Sequence, residues 1–301
     1  MTLGDPRGIG PEVVAKALAQ SPLDADITII GPDDQVAGIP ADRRVGLGRW
    51  GSGRRDAGRV AAHDRALAAP RSPLPDLAGR LAGRGVEAAV ALALAGDVDA
   101  IVTGPVHKAA LHLAGYHYPG VTEFLAHLTP GAEVAMMLVT GPLRVVLITT
   151  HVSLRAVPDL VTVEAVVRTG RITRAALARW WGLPQPRLAV CALNPHAGEA
   201  GLFGDEDERV LRPAAAAIGA AGPLPADTVF VRALRGEFDA VLAPYHDVGM
   251  TAVKVAGFGR GVNVTLGLPF PRTAPDHGTA LDIAGKGVAD AGSMRAALEL
   301  A

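Results

Sequence analysis

The sequence predicts an α/β fold with a mixed sheet, and three observations carry that prediction. Short β-branched runs alternate with Ala-rich stretches of helical period along most of the chain. Several of the runs are continuously apolar, as strands buried on both faces tend to be. Two of them, Val134 to Thr140 and Leu143 to Thr149, are separated only by Gly141-Pro142. Alternation of strands with helices implies βαβ units and a largely parallel sheet. The two-residue spacing suits an antiparallel hairpin instead, which makes the sheet mixed.

Taken in order, the turn Gly4 to Gly10 reads as a strand-to-helix connection. Pro11 fits the first helical position, and Val13, Val14, Ala17 and Leu18 supply an apolar face. Only Met1 to Leu3 stand before it, so either that strand is very short or the natural start lies upstream. Ile27 to Ile30 is the next strand candidate. Asp33 to Arg84 is rich in Gly, Pro, Arg and Asp and reads as surface loop with one short helix. Gly85 to Ala95 has helical period, and Ala100 to Thr103 is a strand. Beyond the hairpin, Thr162 to Trp181 is a helix with Thr162 as its N-cap. Leu188 to Leu193, Asp239 to Ala243 and Val262 to Leu266 complete the strand set, and no internal repeat is visible.

Composition narrows the function classes. The 301 residues carry 29 Lys+Arg against 30 Asp+Glu, a net charge of -1, without the basic excess of a nucleic-acid binder. Hydrophobic residues make up 49% but aromatics only 4%, so the core is aliphatic and ample for one large domain or two. The one cysteine, Cys191, excludes an intrachain disulfide and, in its apolar run, reads as a buried, inert thiol. The longest apolar stretches, such as Ala88 to Ala95, fall short of the roughly 20 residues of a membrane helix. Asp5, Pro6 and Arg7 interrupt any signal peptide. The expectation is a soluble, cytoplasmic protein that engages neither membrane nor nucleic acid.

Three histidines share a context. His151, His196 and His246 each lie just past the carboxyl end of an expected strand, where open α/β sheets place their ligand crevices. Neutral imidazoles suit zinc and other transition metals, and three with open positions describe a catalytic site. Their wide separation in sequence equally fits ordinary loop-end histidines. Asp247 adjoins His246, and Lys254, Asn263 and Arg272 follow, a set suited to a phosphate or a carboxylate. In His277 to Gly287, Gly278 permits close backbone approach and Thr279 is placed to cap a following helix whose N-terminus would favour an anion. Neither a GxGxxG after the first strand nor a P-loop is present.

These residues sit in segments that resemble one family over nearly the whole chain. The segments are GDPRGIGPE at Gly4 to Glu12, DAIVTGPVHK at Asp99 to Lys108, TTHVSLR at Thr149 to Arg155 and LNPHAGE at Leu193 to Glu199. PADT at Pro225 to Thr228, PYHDVGM at Pro244 to Met250 and the stretch from Gly257 to Gly287 complete the set. Together they resemble the 4-hydroxythreonine-4-phosphate dehydrogenases, the PdxA family. The resemblance implies a two-domain fold like that of the isocitrate and isopropylmalate dehydrogenases, with a cleft between domains, in a homodimer. The cofactor domain is then 1–118 plus 262–301, and 119–261 forms the metal, substrate and dimerisation domain. It also implies a divalent metal (zinc, magnesium, manganese or cobalt) at His151, His196 and His246, one of the three coming from the partner subunit. Thr122, Lys254, Asn263 and Arg272 match the family's substrate contacts, while Val121 stands where the family has a histidine. Asp227 and Lys108, both in the matched segments, are the candidate proton acceptors, with a metal-bound water an equal alternative.

The implied reaction is NAD-dependent oxidation of 4-phosphooxy-threonine to a 3-oxo acid that decarboxylates, on the route to pyridoxal phosphate. Relatives oxidise threonate or erythronate 4-phosphates or carboxylated cis-dihydrodiols, and Val121 keeps those substrates open. His277, Gly278, Thr279, Asp282 and Ile283 are the expected cofactor residues. In related decarboxylating dehydrogenases, Asp and Ile at the fifth and sixth positions after that histidine mark NAD enzymes. Two other classes stand beside this one: a hydrolase or lyase using the same metal without nicotinamide, and a catalytically silent homologue that binds a phosphorylated metabolite. An acyl-phosphate transferase of related architecture would not need the three histidines.

Overall fold

The structure is a computed structural model that describes residues 1–20, 23–50 and 75–301. The first elements are α1 (Gly10–Gln20), β1 (Thr28–Gly31), α2 (Asp33–Val36), β2 (Arg43–Gly46), α3 (Pro75–Ala95) and β3 (Ile101–Val102). They are followed by α4 (Lys108–Leu113), α5 (Val121–Leu128), β4 (Ala135–Thr140), β5 (Leu143–Leu147), α6 (Val157–Leu160) and α7 (Val163–Trp180). Next come β6 (Leu188–Cys191), α8 (Arg212–Ala217), β7 (Ala221–Leu224), α9 (Ala226–Leu234) and β8 (Ala240–Ala243). The chain closes with α10 (His246–Gly257), β9 (Val262–Leu266), β10 (Arg272–Pro275) and α11 (Gly292–Leu300). Two compact units result, Met1–Pro130 with Arg272–Ala301, and Gly131–Pro271. The changeovers fall about ten residues later than 118/119 and 261/262. Phe124 of α5 packs on Tyr116 and Tyr118, which keeps that helix in the first unit, and β9 pairs with β4, which keeps that strand in the second.

In the first unit β1 runs parallel to β2, and β3 runs parallel to β10. Thr2 bridges in parallel to both Ile30 and Thr103, so the strand before the first turn is reduced to a single bridging residue. The stretch 33–84, expected as loop with one short helix, contains α2 but also β2 and the first half of α3; its residues 51–74 lie outside the described ones. The early start of α3 has a packing cause. A Cβ on Gly79 would sit 1.9 Å from the carbonyl oxygen of Ala110, and one on Gly83 2.2 Å from the Tyr116 ring. These glycines read as loop in sequence, yet they let α3 lie close against α4 and the residues after it, and tertiary contact overrides their poor helix propensity.

The second unit is a six-stranded sheet in the order β9-β4-β5-β8-β6-β7. β4 is antiparallel to both β5 and β9, and the β5–β8, β8–β6 and β6–β7 pairs are parallel, so the hairpin and the mixed sheet are as expected. The continuous apolar runs have a direct explanation. Ala189, Cys191, Val241 and Ala243 face one core with Val229 of α9 and Val253 of α10, while Leu188, Val190, Ala240 and Leu242 face the other with Val166 and Leu177 of α7. Each large side chain so buried contributes roughly 1.5–3 kcal/mol. Thr162 caps α7, its hydroxyl accepting the Ala165 N–H at 3.2 Å. β7 escaped the sequence reading because Gly222-Pro223 interrupts it; an edge strand tolerates the missing N–H. Cys191 is fully buried, and burial aided by the charge of Asp207 pushes its thiol up to about 12, which makes it inert. No described helix is long and apolar enough to cross a membrane.

Candidate metal and substrate site

The parallel pairing of β5 with β8 puts two strand ends side by side. Ile148 N–H donates to the Ala243 carbonyl at 2.9 Å, and the Thr149 hydroxyl donates to the Pro244 carbonyl at 2.7 Å. The residues that follow each end, His151 and His246, therefore meet. Their ring centroids are 5.5 Å apart, beside a hollow of about 150 Å³ that Thr150, Tyr245 and Asp247 also line. His246 opens α10, and its Nδ1 lies 2.7 Å from Oδ1 of Asp247.

His196 sits on a different mount. After β6 the backbone of His196 to Ala200 takes positive φ at every residue, from 43° to 78°. A left-handed turn of L-residues costs roughly 1–2 kcal/mol per residue, so the surroundings must enforce it. The carboxylate of Asp207, fully buried, fixes the entry to the turn by accepting the N–H groups of Leu193 at 2.9 Å and Asn194 at 3.0 Å, and the Asn194 amide at 3.0 Å. The Asn194 amide also donates to Glu206 at 2.7 Å. Inside the turn Gly198 is required twice over, by its φ of +78° and by a Cβ position 2.8 Å from the Gly204 carbonyl. His196 Nδ1 lies 2.9 Å from Oε2 of Glu199. The Glu199 carboxylate raises the imidazole's pKa above its ordinary value, and the charge of Asp227, in the first turn of α9, adds a smaller push.

Of the three histidines, the structure thus brings two together. Among the described residues no three His, Cys, Asp or Glu side chains stand close enough to hold an ion. The donor chemistry nonetheless fits a divalent metal, since two imidazoles share one hollow and the third is presented on a strained, exposed turn.

The substrate candidates divide between the units. In the second, Lys254 Nζ lies 5.7 Å from the Phe258 ring centroid, and Asn263 on β9 carries a buried Oδ1 with no hydrogen-bond partner among the described residues, an acceptor suited to a ligand donor. In the first, Arg272 is 3% exposed and donates to the Thr103 hydroxyl. Burial pushes its pKa down to about 10, opposed by the charge of Glu123, the neighbour of Thr122 in the first turn of α5. Lys108 begins α4 and is exposed.

The segment 277–287 departs from expectation. No helix follows Thr279; the chain makes turns, with Ala280 at φ 40° and Gly285 and Gly287 also at positive φ. Those conformations cannot propagate a right-handed helix, so no helix N-terminus offers itself to an anion there. The loop is tied down at both ends. Ile9 N–H donates to the Thr279 carbonyl at 2.9 Å, and a Cβ on Gly8 would come within 2.7 Å of that same oxygen. At the far end Lys16 Nζ donates to the Gly287 and Ala289 carbonyls, while Glu12 accepts the Ala289 N–H at 2.9 Å. His277 presents a buried Nε2 with no hydrogen-bond partner among the described residues, and Gly278 and Asp282 are exposed, which fits a loop that takes a polar cofactor. Sequence reasoning missed Thr103, Glu123, Glu199 and Asp207. Thr103 and Glu199 both lie in the matched segments, Glu199 three residues after His196.

The chain matches the family model for "Pyridoxal phosphate biosynthetic protein PdxA" over residues 41–301. It is 44% identical over 317 residues to a D-threonate 4-phosphate dehydrogenase of Salmonella typhimurium, covering 100% of this chain and 97% of the relative. It is 45% identical over 307 residues to a 4-hydroxythreonine-4-phosphate dehydrogenase of Xanthomonas axonopodis pv. citri, covering 99% and 94%. The crystal structure of 4-hydroxythreonine-4-phosphate dehydrogenase from Klebsiella pneumoniae superposes with a TM-score of 0.81 at 40% identity, covering 99% of this chain and 96% of that one.

Proposed function

The chain belongs to the PdxA family, and from that membership we propose an NAD-dependent, metal-assisted dehydrogenase of a phosphorylated hydroxy acid, of the 4-phosphooxy-L-threonine type. The observation that carries the reading is the meeting of His151 and His246 at two adjacent strand ends. His151, His196 and His246 hold the divalent metal, with one histidine supplied by the partner subunit of a homodimer. The first unit, through His277, Gly278, Thr279, Asp282 and Ile283, binds the cofactor, and the enzyme works in the cytoplasm. A divalent metal held by these histidines would supply Lewis-acid polarisation of the substrate hydroxyl, and a nicotinamide held by the first unit would supply the hydride acceptor. Thr122, Lys254, Asn263 and Arg272 grip the anionic ends and fix the reacting carbon. Asp227 or Lys108 takes the hydroxyl proton. The 3-oxo acid then loses its carboxylate as carbon dioxide, and the carbon that bore it is protonated.

A second substrate, D-threonate 4-phosphate or a close analogue, is favoured by Val121. This half-buried first residue of α5 offers neither charge nor hydrogen bond where the family has a histidine. Such a lost contact to a charged group is worth about 1.5–3 kcal/mol, roughly ten- to a hundredfold in kcat/KM. NADH formation with both compounds decides between them. The threonate phosphate is expected to win in the wild type, and Val121→His to move preference toward 4-phosphooxy-L-threonine. A wild type that already prefers 4-phosphooxy-L-threonine, with no response to the substitution, contradicts this second reading.

The cofactor preference follows from Asp282. Its exposed carboxylate accepts hydrogen bonds from ribose hydroxyls and repels a 2′-phosphate. The expected kcat/KM is at least tenfold higher with NAD than with NADP, and equal values would refute the assignment.

A further inference from the structure

Two of the three candidate metal ligands share a detail of geometry. His196 Nδ1 faces Oε2 of Glu199 at 2.9 Å, and His246 Nδ1 faces Oδ1 of Asp247 at 2.7 Å. A carboxylate can only accept, so each contact places the imidazole's proton on Nδ1 and leaves the lone pair on Nε2. The carboxylates are 55% and 85% exposed, and ion pairs so exposed do little for stability. What they do instead is fix a ring's tautomer and orientation. The two pairs are built by unrelated local structures. One closes across the left-handed turn after β6, where the backbone bends back and carries Glu199 to His196. The other joins neighbouring residues at the start of α10. Different backbones reaching the same Nδ1–carboxylate pairing argue for a shared purpose.

We infer that Glu199 and Asp247 are the positioning carboxylates of the metal site, each accepting a hydrogen bond from the Nδ1–H of its histidine so that His196 and His246 ligate through Nε2. Partners of this kind raise ligand basicity and hold the ring to its metal, and their loss typically costs 10–100-fold in metal affinity. The inference rests on the reading of the three histidines as metal ligands.

Two measurements on the full-length protein test it. The first is titration of the metal-free protein with Co²⁺, following the visible ligand-field spectrum and obtaining Kd by competition with a chelator. Glu199→Ala and Asp247→Ala are each expected to weaken binding ~10–100-fold. Glu199→Gln and Asp247→Asn retain an acceptor oxygen and should fall between wild type and alanine. Melting of the metal-free proteins should not change, which separates positioning from folding. The second is the ¹⁵N spectrum of the imidazoles without metal. His196 and His246 should show the Nδ1–H tautomer in the wild type, and the alanine variants should lose that bias. Alanine variants that bind Co²⁺ with wild-type affinity and spectrum overturn the inference alone. A wild type that binds no divalent metal overturns the metal reading and the inference with it.

Discussion

Replacing His246 with alanine is expected to lower bound metal and kcat/KM together, the latter by about 10³-fold. Polarisation of the hydroxyl by a divalent ion is worth several kcal/mol in the transition state, and each 1.36 kcal/mol is tenfold in rate. His151→Ala should behave alike, because the two rings face each other at 5.5 Å across one hollow. Neither change should unfold the protein: the His246 side chain is 32% exposed and His151 is exposed, so no packed core is opened. Metal analysis with steady-state kinetics checks the pair of effects. Full turnover in a metal-free His246→Ala protein would remove the metal from the mechanism.

Arg272→Met is expected to separate activity from stability. Arg272 is 3% exposed, and desolvation already works against its charge, pushing its pKa down to about 10. A buried cation of this kind is a strong attractor for the anionic end of a substrate and a weak contributor to folding. Losing the charge-assisted hydrogen bonds should cost about 3–4 kcal/mol of transition-state binding, ~10²–10³ in kcat/KM. An apolar side chain of similar length removes the desolvation cost of the cation but leaves the Thr103 hydroxyl without that donor, so the melting temperature should fall only modestly. Calorimetry and kinetics on one preparation read both. A large fall in stability with kcat/KM intact would assign Arg272 to the scaffold.

The parts of this molecule that were legible in the sequence are those set by local pattern. Leu188 to Cys191 and Ala240 to Ala243 read as strands because both of their faces are buried and every residue is apolar. The Gly141-Pro142 spacing announced an antiparallel pair, and Thr162 announced the start of α7. What stayed hidden depends on contacts between distant segments. That β5 lies beside β8, and so brings His151 to His246, is a matter of strand order that no window of sequence contains. The glycines of α3 looked like loop until Ala110 and Tyr116 supplied the surface they pack on. Thr279 looked like a cap until Gly285 and Gly287 turned the chain away from a helix. The entry to the left-handed turn of His196 is held by Asp207, eleven residues beyond that histidine, whose three hydrogen bonds to Leu193 and Asn194 have no local signature.

The central claim is that oxidation of a phosphorylated hydroxy acid by NAD requires a divalent metal held by these histidines. It is tested most directly by following NADH formation with D-threonate 4-phosphate and 4-phosphooxy-L-threonine in one preparation, before chelation, after it, and after metal is restored. NADH should appear with at least one of the two substrates, vanish on chelation and return when zinc, magnesium, manganese or cobalt is added. NADH formation that persists undiminished in the chelated protein, or that appears with neither substrate under any metal, would contradict it.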